Sequence, residues 1–420
     1  MDRRYQVVKS VTVPNKMWFG NTKLRLTFPD RWEIMHCLMN GHNEPEITSA
    51  QMEEAFDAPI GSPRLSVLAK GRSKVAIIFD DISRPTPVYL ALPYILAELK
   101  EAGIPDSAIR FVCALGCHGA HTYQDFRKKL GDAVLDRFPV YNHNIYENCT
   151  YVGETSQGTR LSVNSEVMAC DLKIGIGTVV AHPNTGFGGG GKIILPGVSA
   201  IDSIEHYHSL ESKAWKEGKA DIVGMGNYEK NPMARDFMEA ANLAGLDFKV
   251  DFAVNGEGKA CAVFCGRLED EFKQAVKYAT HHYACKIVPA TDIVVVNTYA
   301  KGNEAVMGVL HGMAMLVEKG GNFVLIMDCP SGQVVHYLLS SFGKTVKGRR
   351  FQKLDFSLPW IKRMIVLCPQ FEHAMAEWLA VPDAVWVKTW KEALEILKKD
   401  YPGAARVTIV PDGTTQYIVN

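Results

Sequence analysis

The sequence has no excess charge of either sign, since 46 lysines and arginines balance 46 aspartates and glutamates. Proteins that bind nucleic acids or anionic membranes present a basic surface, so neither kind of partner is expected. No apolar run approaches the roughly 18 residues needed to cross a bilayer. No apolar signal-peptide core follows the first residues. We therefore expect a cytoplasmic protein.

The ten cysteines are scattered along the chain, and no two of them form a C-x-x-C pair. Zinc ribbons are built from such pairs, so the sequence argues against a site of that kind. In a reducing compartment the cysteines are expected to be mostly buried thiols. Cys117 stands beside His118, but a structural thiol is the better interpretation there as well.

Strand-like apolar runs alternate with helical segments along the chain. The runs begin near Val75, Arg110, Leu172, Phe248, Ile293, Phe323 and Met364, and the helical segments near Val88, Tyr123, Ala200, Pro232, Glu269, Glu304, Phe371 and Lys391. This alternation predicts an α/β protein with mostly parallel sheets. We expect two α/β domains, residues 1–283 and 284–404, with 405–420 rejoining the first. The cleft between them is the expected active site.

A glycine-rich loop is the most informative segment, with six glycines in the twelve residues from 186 to 197. Four of them are consecutive: Gly188, Gly189, Gly190 and Gly191. Bare backbone N–H groups there would let an anionic ligand approach closely, within reach of Lys192. The alternative is a glycine-rich bend between buried strands. The stretch also fits G-x-x-x-x-G-K, but Ile193 occupies the magnesium-binding position, which argues against a nucleotide triphosphatase.

Two further loops carry chemically active side chains. Asp80, Asp81 and Arg84 follow an apolar run and precede a helix whose N-cap is predicted at Thr86. His118 and His121 follow the next run. Loops at the carboxyl ends of parallel strands meet at one sheet edge, so we expect these groups to lie near Lys192.

Three histidines near the glycine loop are candidates for proton or metal chemistry. His182 lies ten residues before Lys192, His208 lies sixteen after it, and His206 is two residues from His208. Neutral imidazole binds metals and titrates near neutral pH, so both roles are open. Because the segment before His206 is predicted to be helical, only one of this pair is expected to face the site.

These motifs, in this order and with these separations, resemble the nickel-pincer lactate racemase family. The resemblance is strongest from Val75 to His208. It implies that Lys192 is joined through a thioamide to a nickel-pincer nucleotide, a pyridinium-3-thioamide-5-thiocarboxylic acid mononucleotide. It also implies that His208 is the protein ligand of the nickel.

Hydride chemistry accounts for the remaining polar residues. A 2-hydroxy acid is inverted easily if its α-hydrogen leaves as hydride while a base removes the hydroxyl proton, because the resulting keto acid can be attacked on either face. This route requires two bases, and His118 and His182 are the candidates. Arg84 would hold the substrate oxygens, Asp81 would orient an imidazole, and Thr86 is a weak candidate for contact with the cofactor phosphate.

The sequence departs from the family in two places. Gly188 and Gly191 replace two small side chains before the lysine, and Met307 and Leu310 fall where a glutamine and a lysine are usual. The expected polar contacts to the substrate are instead Lys301, Asn303 and Glu304. A 2-hydroxy acid other than lactate, including a longer polyhydroxy acid, is the expected substrate.

The favoured function is thus a 2-hydroxy acid racemase or C2 epimerase, an isomerase that depends on cofactor-biosynthesis proteins. Three alternatives remain open at this stage. One is a non-catalytic protein that binds a phosphorylated ligand on the glycine loop. Another is a zinc-dependent hydrolase that uses His118, His182 and His208. The third is a structural or regulatory descendant of the family.

Overall fold

The computed structural model describes residues 9–316, 319–340, 348–350, 358–371 and 383–419. Its strands are β1 (Lys9–Asn15), β2 (Thr22–Phe28), β3 (Glu33–His36), β4 (Val75–Asp80), β5 (Ile109–Ala114), β6 (Val140–Asn142), β7 (Cys149–Glu154), β8 (Arg160–Asn164), β9 (Leu172–Thr178), β10 (Val180–His182), β11 (Gly186–Gly188), β12 (Phe248–Val254), β13 (Ala260–Gly266), β14 (Ala284–Cys285), β15 (Ile293–Asn297), β16 (Gly321–Ile326), β17 (Ile361–Leu367), β18 (Val385–Val387), β19 (Arg406–Val410) and β20 (Tyr417–Ile418).

The α-helices are α1 (Ser49–Asp57), α2 (Leu65–Leu68), α3 (Val88–Glu101), α4 (Tyr123–Leu130), α5 (Asp132–Leu135), α6 (Ser165–Met168), α7 (Ile201–Lys216), α8 (Pro232–Leu243), α9 (Leu268–His282), α10 (Val306–Met313) and α11 (Trp390–Asp400). Short 3-10 turns cover Asp106–Ala108, Gly190–Ile193, Ala220–Ile222, Gly302–Glu304 and Ala314–Leu316. The helix predicted near Phe371 falls on 372–382, outside the described residues. No helix of the described part is long and apolar enough to span a bilayer.

Two six-stranded sheets organise the described residues. The first has the order β13-β12-β9-β4-β5-β6, and the second β18-β17-β16-β15-β19-β3. Neighbours are parallel except for the β12–β13 pair. The prediction of an α/β protein with mostly parallel sheets is confirmed.

Alternate residues of the first sheet face two different cores. In β4, Ile77 and Phe79 pack with Ile95 of α3, whereas Ile78 faces the opposite core together with Ile193 of the glycine loop. Burial on both faces explains why these strands read as continuous apolar runs. It also means that the glycine loop is packed against the sheet.

The second sheet includes strands from both ends of the chain. β19 pairs with β15 on one side and with β3 on the other. The rejoining of residues 405–420 to the first domain stays a prediction, and β19 lies in the second sheet. Parallel pairing of β19 with β15 buries Val407 and Ile409 in a hydrophobic core of the second sheet. A pattern among neighbouring residues cannot predict this long-range contact. The domain boundary near residue 284 stays a prediction.

The glycine loop forms the short β10–β11 hairpin followed by a 3-10 turn. Gly189 and Gly190 have φ angles of +94° and +53°, a region that favours glycine. Gly191 is constrained differently, because a Cβ atom there would lie 2.4 Å from the carbonyl oxygen of Phe237 in α8. Close packing against the backbone of α8 therefore explains why residue 191 is a glycine.

This contact predicts that Gly191→Ala destabilises the fold. The free energy of unfolding should fall by about 1–3 kcal/mol, as for other overpacked sites. Gly188→Ala is the matched control, since its Cβ would meet nothing closer than the Val180 carbonyl oxygen at 3.7 Å. Urea unfolding followed by circular dichroism measures both. Equal losses in the two variants would refute the packing argument.

Candidate active site

Three neighbouring strands of the first sheet end at one edge. The order β9-β4-β5 places the carboxyl ends of these parallel strands side by side. The segments that follow them, with α7, line a single cavity through Asp81, Arg84, His118, His182, Lys192 and His208. Gly188, Gly189, Gly190, Glu304, Met307 and His336 also line it. Segments that follow strands of both sheets therefore meet at this cavity.

Asp81 holds the imidazole of His118. His118 Nδ1 and an Asp81 carboxylate oxygen are 2.5 Å apart, and the backbone N–H and hydroxyl of Ser83 donate to the other oxygen. Burial alone would raise the pKa of Asp81, but His118, His121 and Arg84 hold it well below its ordinary value. Because the carboxylate accepts from Nδ1–H, Nε2 of His118 is left as the reactive nitrogen.

Glu304 links the second sheet's side of the cavity to this pair. One of its oxygens accepts from Nη1 of Arg84 at 2.7 Å, and the other lies 3.4 Å from Nε2 of His118. Burial would raise the pKa of Glu304, but Arg84, His118 and Lys301 lower it. Glu304 is thus an ionised acceptor inside the cavity.

The surroundings of the Lys192 amine disfavour its protonated form. Burial lowers its pKa well below the ordinary value, and the nearby cations Arg84 and Lys301 lower it further. Among the described residues its Nζ has no hydrogen-bond or ion-pair partner. The uncharged amine, which is the nucleophilic form of lysine, is therefore favoured.

His182 and His208 are also held in the neutral form. Burial lowers the pKa of His182 well below its usual range, with Lys192, Lys301 and Arg84 adding to the effect, and the backbone N–H of Asn184 donates to its Nδ1 at 3.2 Å. Burial lowers the pKa of His208 to about 4, and its Nδ1–H donates to the Ile204 carbonyl at 2.8 Å. That bond leaves Nε2 of His208 for a ligand.

The helix prediction for the segment before His206 is confirmed by α7, and the two histidines diverge. His206 Nδ1 contacts the hydroxyl of Thr159 at 2.8 Å, and His206 does not line the cavity. His121 accepts from the backbone N–H of Ile82 and so supports the loop that carries Asp81. Cys117 is buried, and burial raises the pKa of its thiol to about 12, which fits a structural role.

The ligand-binding prediction for Thr86 does not match its surroundings. Its side chain is fully buried, and its hydroxyl contacts Asp80 and the hydroxyl of Thr178. Thr86 is also not an N-cap, because α3 begins at Val88 after Pro87 without a side-chain cap. A hydroxyl committed to these internal bonds is not available to a phosphate.

The glycine amides are less open than the sequence predicts. The N–H of Gly190 donates to the buried carboxylate of Asp251 at 2.7 Å, and Gly191 packs on α8 outside the cavity lining. Buried backbone N–H groups almost always have a hydrogen-bond acceptor, and this holds for consecutive glycines as for other residues. Among the four glycines, Gly188, Gly189 and Gly190 line the cavity.

Among the tentative substrate residues, the structure brings only Glu304 to the cavity lining. Lys301 is buried behind His182, where its Nζ donates to the Ala181 carbonyl at 3.4 Å. Burial and Arg84 lower the pKa of Lys301 to about 8. Asn303 lines a separate small pocket beside Trp18 and Tyr299. Met307 lines the main cavity as an apolar side chain.

His336 is a cavity residue that sequence reasoning missed. Its ring centroid lies 5.5 Å from that of His118 and 6.3 Å from that of His208. Burial lowers its pKa well below the usual range. No motif surrounds it in the sequence, and long-range contacts bring the segments together: a bridge pairs His118 with His336, and the backbone N–H of Tyr337 donates to the Cys117 carbonyl at 2.8 Å.

The arrangement does not favour a zinc hydrolase. Within the described residues, the ring nitrogens of His118, His182 and His208 do not converge on one three-ligand metal position. What the cavity offers is an uncharged lysine amine, several neutral imidazoles, one carboxylate-bound imidazole and a guanidinium. This set suits covalent attachment and proton transfer to and from a bound molecule.

Comparisons with known proteins agree with the motifs. Residues 19–220 match the model of the lactate racemase N-terminal domain. A lactate racemase of Thermoanaerobacterium thermosaccharolyticum is 26% identical over 322 residues, 75% of this chain and 74% of that protein. A lactate racemase of Lactiplantibacillus plantarum is 25% identical over 386 residues, 86% and 89% of the two chains.

Solved structures show the same fold. The apoprotein structure of the Thermoanaerobacterium thermosaccharolyticum lactate racemase superposes with a TM-score of 0.72 at 22% identity, covering 98% of this chain and all of that one. A Thermotoga maritima protein superposes with a TM-score of 0.63 at 18% identity, covering 90% of this chain and all of that one. At these identities the likeness establishes the arrangement of strands and helices.

Proposed function

Because the chain belongs to the lactate racemase family and is an isomerase, we propose that it racemises a 2-hydroxy acid or epimerises one at C2. The reaction would use a nickel-pincer nucleotide tethered to Lys192. One observation carries this proposal: the Lys192 amine is half-buried, uncharged by preference and unpaired among the described residues, in a cavity that also contains His118, His182 and His208.

The cavity residues fit this cofactor. An uncharged amine is the form of lysine that can be acylated, so Lys192 would supply the thioamide nitrogen. His208 would supply the nickel ligand, because its Nδ1–H is bound to a carbonyl and its neutral ring leaves Nε2 free. When bound, this group supplies a carbon that takes up the α-hydrogen of the substrate as hydride and returns it.

His118 and His182 would act as the two bases. His118 accepts the hydroxyl proton of one enantiomer at Nε2, and the Asp81 carboxylate stabilises the imidazolium that results. His182 serves the other enantiomer, and its lowered pKa favours the neutral ring that a base requires. Arg84 retains N–H groups beyond the Nη1 atom bound to Glu304, so its guanidinium can also hold the substrate carboxylate.

Glu304 favours a substrate richer in hydroxyl groups than lactate. Its carboxylate is ionised and lines the cavity, so it can accept hydrogen bonds from hydroxyl groups but repels a second carboxylate. Lactate has a methyl group where a polyhydroxy acid has donors. We therefore propose a polyhydroxy 2-hydroxy acid as substrate, with C2 epimerisation as the reaction.

The first test is cofactor loading. Protein made together with the cofactor-building enzymes should gain a nucleotide-sized mass at Lys192 and one nickel ion, and Lys192→Ala should gain neither. His208→Ala should keep the adduct but lose most of its nickel, whereas His206→Ala should keep both. Peptide mass spectrometry and metal analysis read these outcomes. An adduct on Lys301 instead of Lys192 would overturn the assignment.

The second test concerns the bases. Replacing His118 or His182 by alanine should lower turnover by roughly 10² to 10⁴, the usual contribution of a positioned acid–base group. Both variants should still load the cofactor, which separates a catalytic loss from a folding defect. Because the hydrogen moves as hydride, solvent deuterium should not accumulate at C2 during turnover. Extensive incorporation would instead indicate a carbanion route.

The third test concerns substrate choice. The loaded protein should convert a polyhydroxy 2-hydroxy acid with a higher kcat/KM than lactate. Glu304→Gln should weaken that preference by about tenfold, since a lost charge-assisted hydrogen bond is worth roughly 1.5 kcal/mol or more. Its matched control is Met307→Leu, which keeps an apolar side chain in the cavity. Lactate as the better substrate of the unaltered protein would contradict the substrate proposal.

A further inference from the structure

A second cluster of potential ligands lies away from the active-site cavity. Cys37, Cys285 and His311 each offer one ligand atom, and these atoms all lie within 4.8 Å of one another. All three side chains are buried, at 2%, 3% and 3% exposure. None of the three lines the cavity described above. The cluster is therefore independent of the proposed racemase chemistry.

The spacing of these atoms suits a tetrahedral ion. With zinc–sulfur bonds near 2.3 Å and zinc–nitrogen bonds near 2.0–2.1 Å, sulfur and nitrogen ligands lie about 3.6 Å apart. Cys285 Sγ and His311 Nε2 are 3.9 Å apart. Thiolate sulfur and imidazole nitrogen are also the donors that zinc prefers in closed structural sites.

The amide of Gln416 completes the cluster. Its Nε2 lies 3.4 Å from both sulfurs, 3.1 Å from His311 Nε2 and 3.1 Å from the Cys37 carbonyl oxygen. An NH₂ group has two hydrogens, so it cannot satisfy four acceptors at once. Half a turn of the amide about its last bond would exchange its nitrogen and oxygen, and so bring the Gln416 oxygen next to the two sulfurs and His311 Nε2.

Both thiols have a backbone hydrogen-bond acceptor at the edge of the cluster. Cys37 donates to the Lys286 carbonyl at 3.4 Å, and Cys285 donates to the Tyr417 carbonyl at 3.2 Å. Binding of an ion would release these two protons, because thiolates are the form that binds metals.

We propose that Cys37, Cys285 and His311 form a structural zinc site, with Gln416 as the fourth ligand. The four residues belong to four separate segments: Cys37 directly follows β3, Cys285 lies in β14, His311 lies in α10 and Gln416 directly precedes β20. A bound ion would join the second sheet to the β14–β20 pair, which lies beside the end of α9. Its role would be to hold the two ends of the chain on the fold.

The test is metal content in full-length protein made without the cofactor-building enzymes and without a polyhistidine tag. We expect one zinc per chain, falling below about a tenth of that in Cys37→Ser and Cys285→Ser, because a structural site needs its full ligand set. Cys170→Ser, a buried cysteine in another part of the fold, is the matched control and should keep the zinc. Absence of zinc from the unaltered protein after growth in zinc-containing medium would overturn the proposal.

A second measurement does not depend on the variants folding. The unaltered protein, stripped by a chelator and refilled with Co²⁺, should show the strong visible absorption of a tetrahedral cobalt site and thiolate charge-transfer bands. Alkylation under denaturing, non-reducing conditions should find all ten cysteines as free thiols after metal removal. A Cys37–Cys285 disulfide, seen as two unreactive cysteines, would refute the zinc site.

Discussion

The contacts of Glu304 are the interaction on which the cavity depends. This one carboxylate, supplied from the loop before α10, binds Arg84 and lies beside His118, which both follow strands of the first sheet. Without it, the charges of Arg84 and Lys301 would lie in a buried space with one carboxylate fewer to offset them. The same carboxylate brings the second sheet's loops to the edge of the first, so that one cavity has walls from both.

The basic groups of the site fall into two sets that differ in the charges around them. Asp81 and Glu304 lie on the side of His118 and Arg84, whereas His182, Lys192 and His208 lie where cations and burial prevail. The first group is held by ionised partners, and the second is pushed toward neutral forms. A neutral amine and neutral imidazoles can react or bind a metal, while an ionised carboxylate can orient an imidazole. The different chemical roles of these groups therefore depend on the surroundings of each group and not on its residue type.

Local pattern predicted what depends on neighbouring residues. The buried strands from Val75, Arg110 and Leu172 read as apolar runs, and the loops after them carry the polar groups that meet at the sheet edge. Features set by distant contacts could not be read in this way. β19 pairs with β15 and β3, each more than a hundred residues away in the sequence. The Thr86 hydroxyl is bonded to Thr178, and Gly191 lacks a side chain because the Phe237 carbonyl lies close to it. His336 and the Cys37 cluster are likewise products of long-range packing.

The surroundings of Lys192 suit an acylated lysine better than a charged one. An ammonium group at this position is disfavoured by desolvation and by Arg84 and Lys301, and the carboxylate of Glu304 offsets these effects only in part. An acylated lysine carries no charge, so the same surroundings cost it little. On the proposed function, the cations that destabilise the free ammonium would then face the anionic cofactor and the substrate carboxylate. The surroundings that disfavour a charged Lys192 in the cofactor-free protein would therefore favour the protein that carries the cofactor.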